Sequence, residues 1–218
     1  MIKRLLFLVF FLAQIAEVSA AITAFSFTSS PNSYVGGGET YTIFGDNPNF
    51  EISLNVGTQS YFYLQVASNN SPFGPDWNPA SGEEYRYWTL EMAPPAGSIL
   101  GVGEYPDATR FPFQDAGSPG LTFAGNHRGN NQQSGGFSIL EAVYDTSGKL
   151  TAFAADFTQY DEMQTSWWNI GSVRYNSSVP LPEPSPALFV GLAAGLLCSN
   201  RSRSSTALPV SSAAPRAV

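Results

Sequence analysis

Phe50-Glu51-Ile52-Ser53-Leu54-Asn55-Val56 sets Phe50, Ile52, Leu54 and Val56 on one side of an extended chain and Glu51, Ser53 and Asn55 on the other. A period of two is the mark of a half-buried β-strand. Gly57-Thr58-Gln59 follows as a turn, and Ser60 to Val66 returns as the second arm of a hairpin. The same alternation recurs upstream in Ala24 to Thr28 and in Tyr41 to Phe44. Downstream, Tyr85 to Met92 sends Trp88, Leu90 and Met92 to one face with Arg86, and ends at Pro94-Pro95. Phe137 to Tyr144 and Lys149 to Phe157 flank Asp145-Thr146-Ser147-Gly148, a hairpin turn with glycine near its end. Trp167 to Tyr175 reads as a last strand.

Short alternating strands separated by turn residues, with no amphipathic helix, predict an all-β domain of antiparallel sheets, a β-sandwich or jelly-roll. Its long loops are expected at 67–83 and 101–120, each holding Gly, Pro and an aromatic residue. The domain is placed at 21–178. That span carries fifteen acidic and five basic side chains, which argues against nucleic acid or anionic lipid as a partner. Cys198, the one cysteine of the chain, lies outside it. With no disulfide of its own, the domain must hold itself by packing, and Phe, Tyr and Trp are plentiful enough to do so.

The two ends read as address labels. Lys3 and Arg4, the apolar run Leu5 to Ala16 and the small-residue site Val18-Ser19-Ala20 make a secretory signal peptide over 1–20, cut after Ala20 by signal peptidase. At the other end, Pro182-Glu183-Pro184 precedes an apolar stretch, 187–198, and the basic stop Arg201 and Arg203; the polar tail 204–218 follows. As a helix, the stretch from Ser185 to Asn200 would reach about 24 Å. That is shorter than the ~30 Å of a bilayer core and suits a transient anchor.

Val179 to Pro186, the apolar stretch and the arginines together resemble the PEP-CTERM sorting domain, covering 179–203. The resemblance implies a substrate of an exosortase, a membrane peptidase of Gram-negative bacteria that make exopolysaccharide. It also implies transient anchoring in the inner membrane before delivery to the cell surface or the extracellular matrix. A second resemblance covers 101–176. Gly103 to Gln114, Pro119-Gly120-Leu121, Arg128-Gly129-Asn130, Phe153 to Phe157 and Arg174 to Ser177 are similar to a domain of exported bacterial proteins with no assigned activity. In those relatives cysteines stand where this chain has Asn130 and Asp161, and the resemblance implies that they form a disulfide there.

No catalytic residue is assigned. His127, the single histidine, lies in the glycine-flanked loop Gly125 to Gly129, and no Gly-x-Ser-x-Gly elbow accompanies it. One histidine and no cysteine in the domain cannot make a zinc site. Calcium takes oxygen ligands, so Asp46-Asn47-Pro48-Asn49 and Asp156 with Asp161-Glu162 are candidate donors, although acidic turns commonly lack a metal. The carboxylate pairs open to a glycosidase are Glu83-Glu84, Glu104 with Asp107, and Asp161-Glu162. Neighbours on a strand face opposite ways, which disfavours both adjacent pairs. Trp77, Trp167 and Trp168 are candidate glycan contacts, since a flat ring can stack on a sugar; the competing role is packing at a core edge. Arg110 and Asp156 are expected to form an ion pair between strands. The sequence thus points to a non-catalytic exported protein, with a carbohydrate-binding module acting on exopolysaccharide, or a glycan hydrolase, as rivals.

Overall fold

A computed structural model describes residues 20–183 except Trp77, Pro79, Ser81 and Glu83. The signal peptide before Ala20, Pro184, the apolar stretch 187–198, Arg201, Arg203 and the tail 204–218 lie outside the described residues. No helix occurs among those described.

Ten strands follow in chain order: β1 (Ile22–Ser29), β2 (Thr40–Phe44), β3 (Phe50–Gly57), β4 (Phe62–Ser68), β5 (Tyr87–Ala93), β6 (Gly103–Arg110), β7 (Gly120–Gly125), β8 (Gln133–Tyr144), β9 (Leu150–Asp161) and β10 (Trp168–Ser177). Each of the expected strands coincides with one of these. The faces are also as read: Trp88, Leu90 and Met92 are fully buried, while Phe50, Ile52 and Leu54 pack partly buried against the core. Asp145 closes the β8–β9 hairpin by accepting from Ser147 N, Ser147 Oγ and Lys149 N, and Gly148 takes the left-handed φ of 81° that the turn needs.

Two elements differ from expectation. The stretch 101–120, read as a loop, contains β6 and leads directly into β7. In β6 only Ala108 is buried, so no apolar alternation marks it. Its ladder to β8 shifts register between Tyr105 and Ala108, a bulge that lifts Pro106 and Asp107 out of the pairing. The second difference is architectural. Instead of the two separate layers of a sandwich or jelly-roll, all ten strands belong to one sheet, ordered β2-β1-β10-β9-β8-β6-β7-β5-β4-β3.

The joint in that sheet is narrow. β6 and β7 share only Thr109↔Gly120 and Arg110↔Leu121, and they run parallel, whereas the other ladders are antiparallel. Beyond those two pairs, side chains finish the edge of β7. The buried Gln159 amide accepts from Phe123 N at 2.7 Å and donates to Phe123 O at 2.8 Å, and Gln133 Nε2 donates to Leu121 O. Glutamine side chains from the six-strand arm thus pair with the four-strand arm as a strand would. The edge strands β2 and β3 are joined by residues 45–49, too few to span more than about 20 Å. The sheet therefore curls nearly into a barrel. Its interior is one apolar cluster in which Phe27 meets Trp88 edge-on at 5.3 Å and Phe62 stacks on Phe153 at 4.3 Å.

Candidate functional site

Period-two alternation that fills the interior also composes the outer face. Paired across β6, β8, β9 and β10 are Glu104, Ser138, Asp156 and Ser172, a polar row on the outside of the sheet. Over Glu104, Ser138 and Asp156 of this row lies a groove of about 660 Å3. Its floor is low because β8 carries Gly135-Gly136 there, and it is walled by the Pro106–Asp107 bulge on one side and by Tyr160 and Ile170 on the other. Gly135 cannot be replaced cheaply: a Cβ would stand 2.1 Å from Thr158 O, on a backbone at φ 156°. Asp107, at the crest of the bulge, holds a left-handed φ of 55°.

The carboxylates of the groove are held by neighbours on their own face of the sheet. Asp156 Oδ1 accepts from Arg174 Nη1 at 2.9 Å, and Glu104 Oε2 accepts from Ser138 Oγ at 2.5 Å. Arg174 is only 1 % exposed and also donates to the carbonyls of Ala155, Val173 and Pro180. The expected partnership of Arg110 with Asp156 is not formed. Arg110 lies at the end of β6, where its Nη1 donates to Asn131 O and its guanidinium stands 4.8 Å over the Phe113 ring. Arg174, which pairs with Ala154 and so stands diagonally across the β9–β10 ladder from Asp156, is the closer cation.

At the turn around residue 127 a second cluster forms. His127 is exposed, as a loop histidine should be, yet it is held in place. Its Nε2 lies 2.7 Å from Tyr85 Oη, its Nδ1 lies 3.3 Å from Tyr87 Oη, and its N–H donates to Tyr87 Oη at 2.9 Å. Asn126 and His127 both take left-handed backbone, and Phe73 meets Tyr87 edge-on.

The remaining sequence candidates are dispersed. Asp161 is fully buried and points inward. Its two oxygens accept from Ser33 Oγ, Val35 N, Asn130 Nδ2, Asn169 Nδ2 and Gln159 Nε2. These five donors occupy the lone pairs a calcium ion would need, and Asp156 faces the opposite side of the same strand. Among the described residues no three Asp, Glu, His or Cys side chains gather as a metal cage. Glu162 turns away from Asp161 and accepts from Asn131 N. Glu84 pairs with Arg86, while Glu83 lies outside the described residues, as does Trp77. Glu104 and Asp107 both border the groove. Trp167 sits in the turn before β10 and Trp168 opens that strand opposite Tyr160, so the two do not alternate within one strand; both are half-buried. Asn130 and Asp161 are in direct contact at 2.8 Å.

The groove was not legible in advance, because its floor is two glycines and its wall a bulge inside a strand that carries no alternating pattern. Compared with known proteins, the chain matches no family model, no curated protein and no solved structure.

Proposed function

We propose that this is an exported, non-catalytic domain of the cell surface or extracellular matrix. It loses residues 1–20 to signal peptidase and is passed to an exosortase-type membrane peptidase at Pro182-Glu183-Pro184, with 187–198 as a transient membrane anchor and Arg201 and Arg203 as its stop. One observation carries the reading. The compact body ends at Leu181, and the very next residue opens the proline triplet. The last residues of the body are pinned: Arg174 Nε donates to Pro180 O at 3.0 Å, Ser177 Oγ accepts from Val179 N at 3.0 Å, and the same hydroxyl donates to Glu141. A peptidase acting at the triplet cuts outside the hydrogen-bonded sheet and leaves every strand intact. The non-catalytic reading is supported by the partners of His127, whose ring nitrogens meet two tyrosine hydroxyls and not a serine or a carboxylate, and by the opposed directions of Asp161 and Glu162.

Replacing Pro182-Glu183-Pro184 by three alanines tests this. The variant should accumulate at full length in the inner membrane; surface display equal to that of the wild type would refute the assignment.

A second reading, a carbohydrate-binding module, is favoured by the groove, which joins aromatic, hydroxyl and carboxylate side chains on one open face.

A further inference from the structure

We infer that the outer groove over β6, β8, β9 and β10 is a binding site for a neutral, hydroxyl-rich glycan chain. This rests on the carbohydrate-binding reading and moves its site from Trp77 and Trp167 to the face bearing Trp168. The size fits: about 660 Å3 lies within the ~300–1,000 Å3 of small-ligand sites. The groove is open along the sheet, so a polymer can lie in it without having to thread an end.

The polar groups are arranged as acceptors held ready. Arg174 holds Asp156 through Oδ1, and Ser138 holds Glu104 through Oε2. Each carboxylate thus keeps its other oxygen without a protein donor among the described residues, and the Asp156 side chain is 40 % exposed. Glu104 and Asp156 flank Ser138 in one cross-strand row, their Cα atoms two strand spacings apart, about 9.5 Å. Acceptors so spaced, fixed before binding, can take hydroxyl donors from neighbouring sugars at little ordering cost. Ile170, 51 % exposed, and the Tyr160 ring provide apolar ground for the C–H faces of the same sugars, with Trp168 beside them on that face.

Charge selects the class. No Lys or Arg lines the groove, and Arg174, on the same face beside it, is engaged by Asp156 and three backbone carbonyls. Uronic, sulfated and phosphorylated chains would meet Glu104 and Asp107, which form no ion pair among the described residues, and this disfavours them. A neutral chain meets no such penalty.

Calorimetric titration of the full-length chain decides the matter. The probes are the hexamers of β-1,4-glucose, β-1,3-glucose and β-1,4-mannose as neutral chains, of galacturonate as the acidic chain and of glucosamine as the cationic one. At least one neutral hexamer should bind and galacturonate should not. Thr158→Trp, which fills the groove, should weaken binding by about tenfold or more. Glu104→Ala with Ser138→Ala, both at the surface and both retaining the wild-type melting temperature, should do the same; if Thr158→Trp fails to fold, this pair decides alone. Several results would overturn the site: no neutral hexamer bound, unchanged affinity in the folded groove variants, or glucosamine or galacturonate bound more tightly than every neutral chain. Loss of neutral binding on Trp77→Ala with the groove variants unaffected would also overturn it, yet leave the carbohydrate-binding reading standing. The sorting assay above is independent of every arm.

Discussion

Gln159 has no water to turn to. It is fully buried, and its amide makes both hydrogen bonds that Phe123 would otherwise offer to a neighbouring strand, plus one to Asp161. Gln159→Met keeps the volume and removes the bonds, leaving a buried N–H and a buried C=O unpaired. We expect a loss of about 3 kcal/mol in denaturant unfolding; a change under about 0.5 kcal/mol would show that the amide is not what closes the edge. Tyr144 gives a second prediction. Burial, with Tyr105 nearby, pushes its phenol up to about 12, and its hydroxyl donates to Leu100 O at 2.6 Å. The folded state therefore holds this proton after the unfolded chain, with an ordinary value near 10, has lost it. The contribution is complete below pH 10 and is lost as pH rises towards 12. Tyr144→Phe should flatten the alkaline limb of stability against pH between those values, read by urea unfolding, and an unchanged limb would contradict the assignment. Little of this was legible in the sequence. Gln159, Gln133 and Asp161 sit on inward positions of strands, where a pattern of apolar alternation has no way to mark a polar residue that satisfies a distant backbone.

Strands made of alternating apolar residues were readable because one face of each packs inward: β3, β4, β5, β8 and β9 declare their period directly. β6 was not, because a bulge at Pro106-Asp107 breaks the alternation and only Ala108 is buried. β7 was missed for a different reason. It is six residues long with a glycine at each end, and its inner residues, Leu121 and Phe123, read equally well as a short apolar run in a loop. Missing both hid the joint between the two arms, and with it the single sheet. The joint has two ladder pairs, against eleven register partners along β8 and β9. Native-state hydrogen exchange should therefore find β6 and the β6-facing edge of β7 opening at lower free energy than the β8–β9 hairpin. Uniform protection across all four strands would contradict a weak seam.

At the scale of the whole molecule, the domain is a sheet curled nearly closed around an aromatic core, with its candidate ligand site on the outside and its pinned last residues ending one step before the proline triplet. That layout separates the work of the parts. The barrel holds itself together without a disulfide, the outer face carries the groove, and a cut after Leu181 would touch no strand. The proposed address labels are read from charge, apolar length and proline, which are local properties of sequence, whereas the groove depends on which strands become neighbours. The central claim is that the chain is exported and then cut at its proline triplet. Mass spectrometry of the mature C-terminus from native cells tests it most directly. A species that begins at Ala21 and ends near residues 182–184 is the predicted result; material from the surface or medium that still carries Val218 would contradict it.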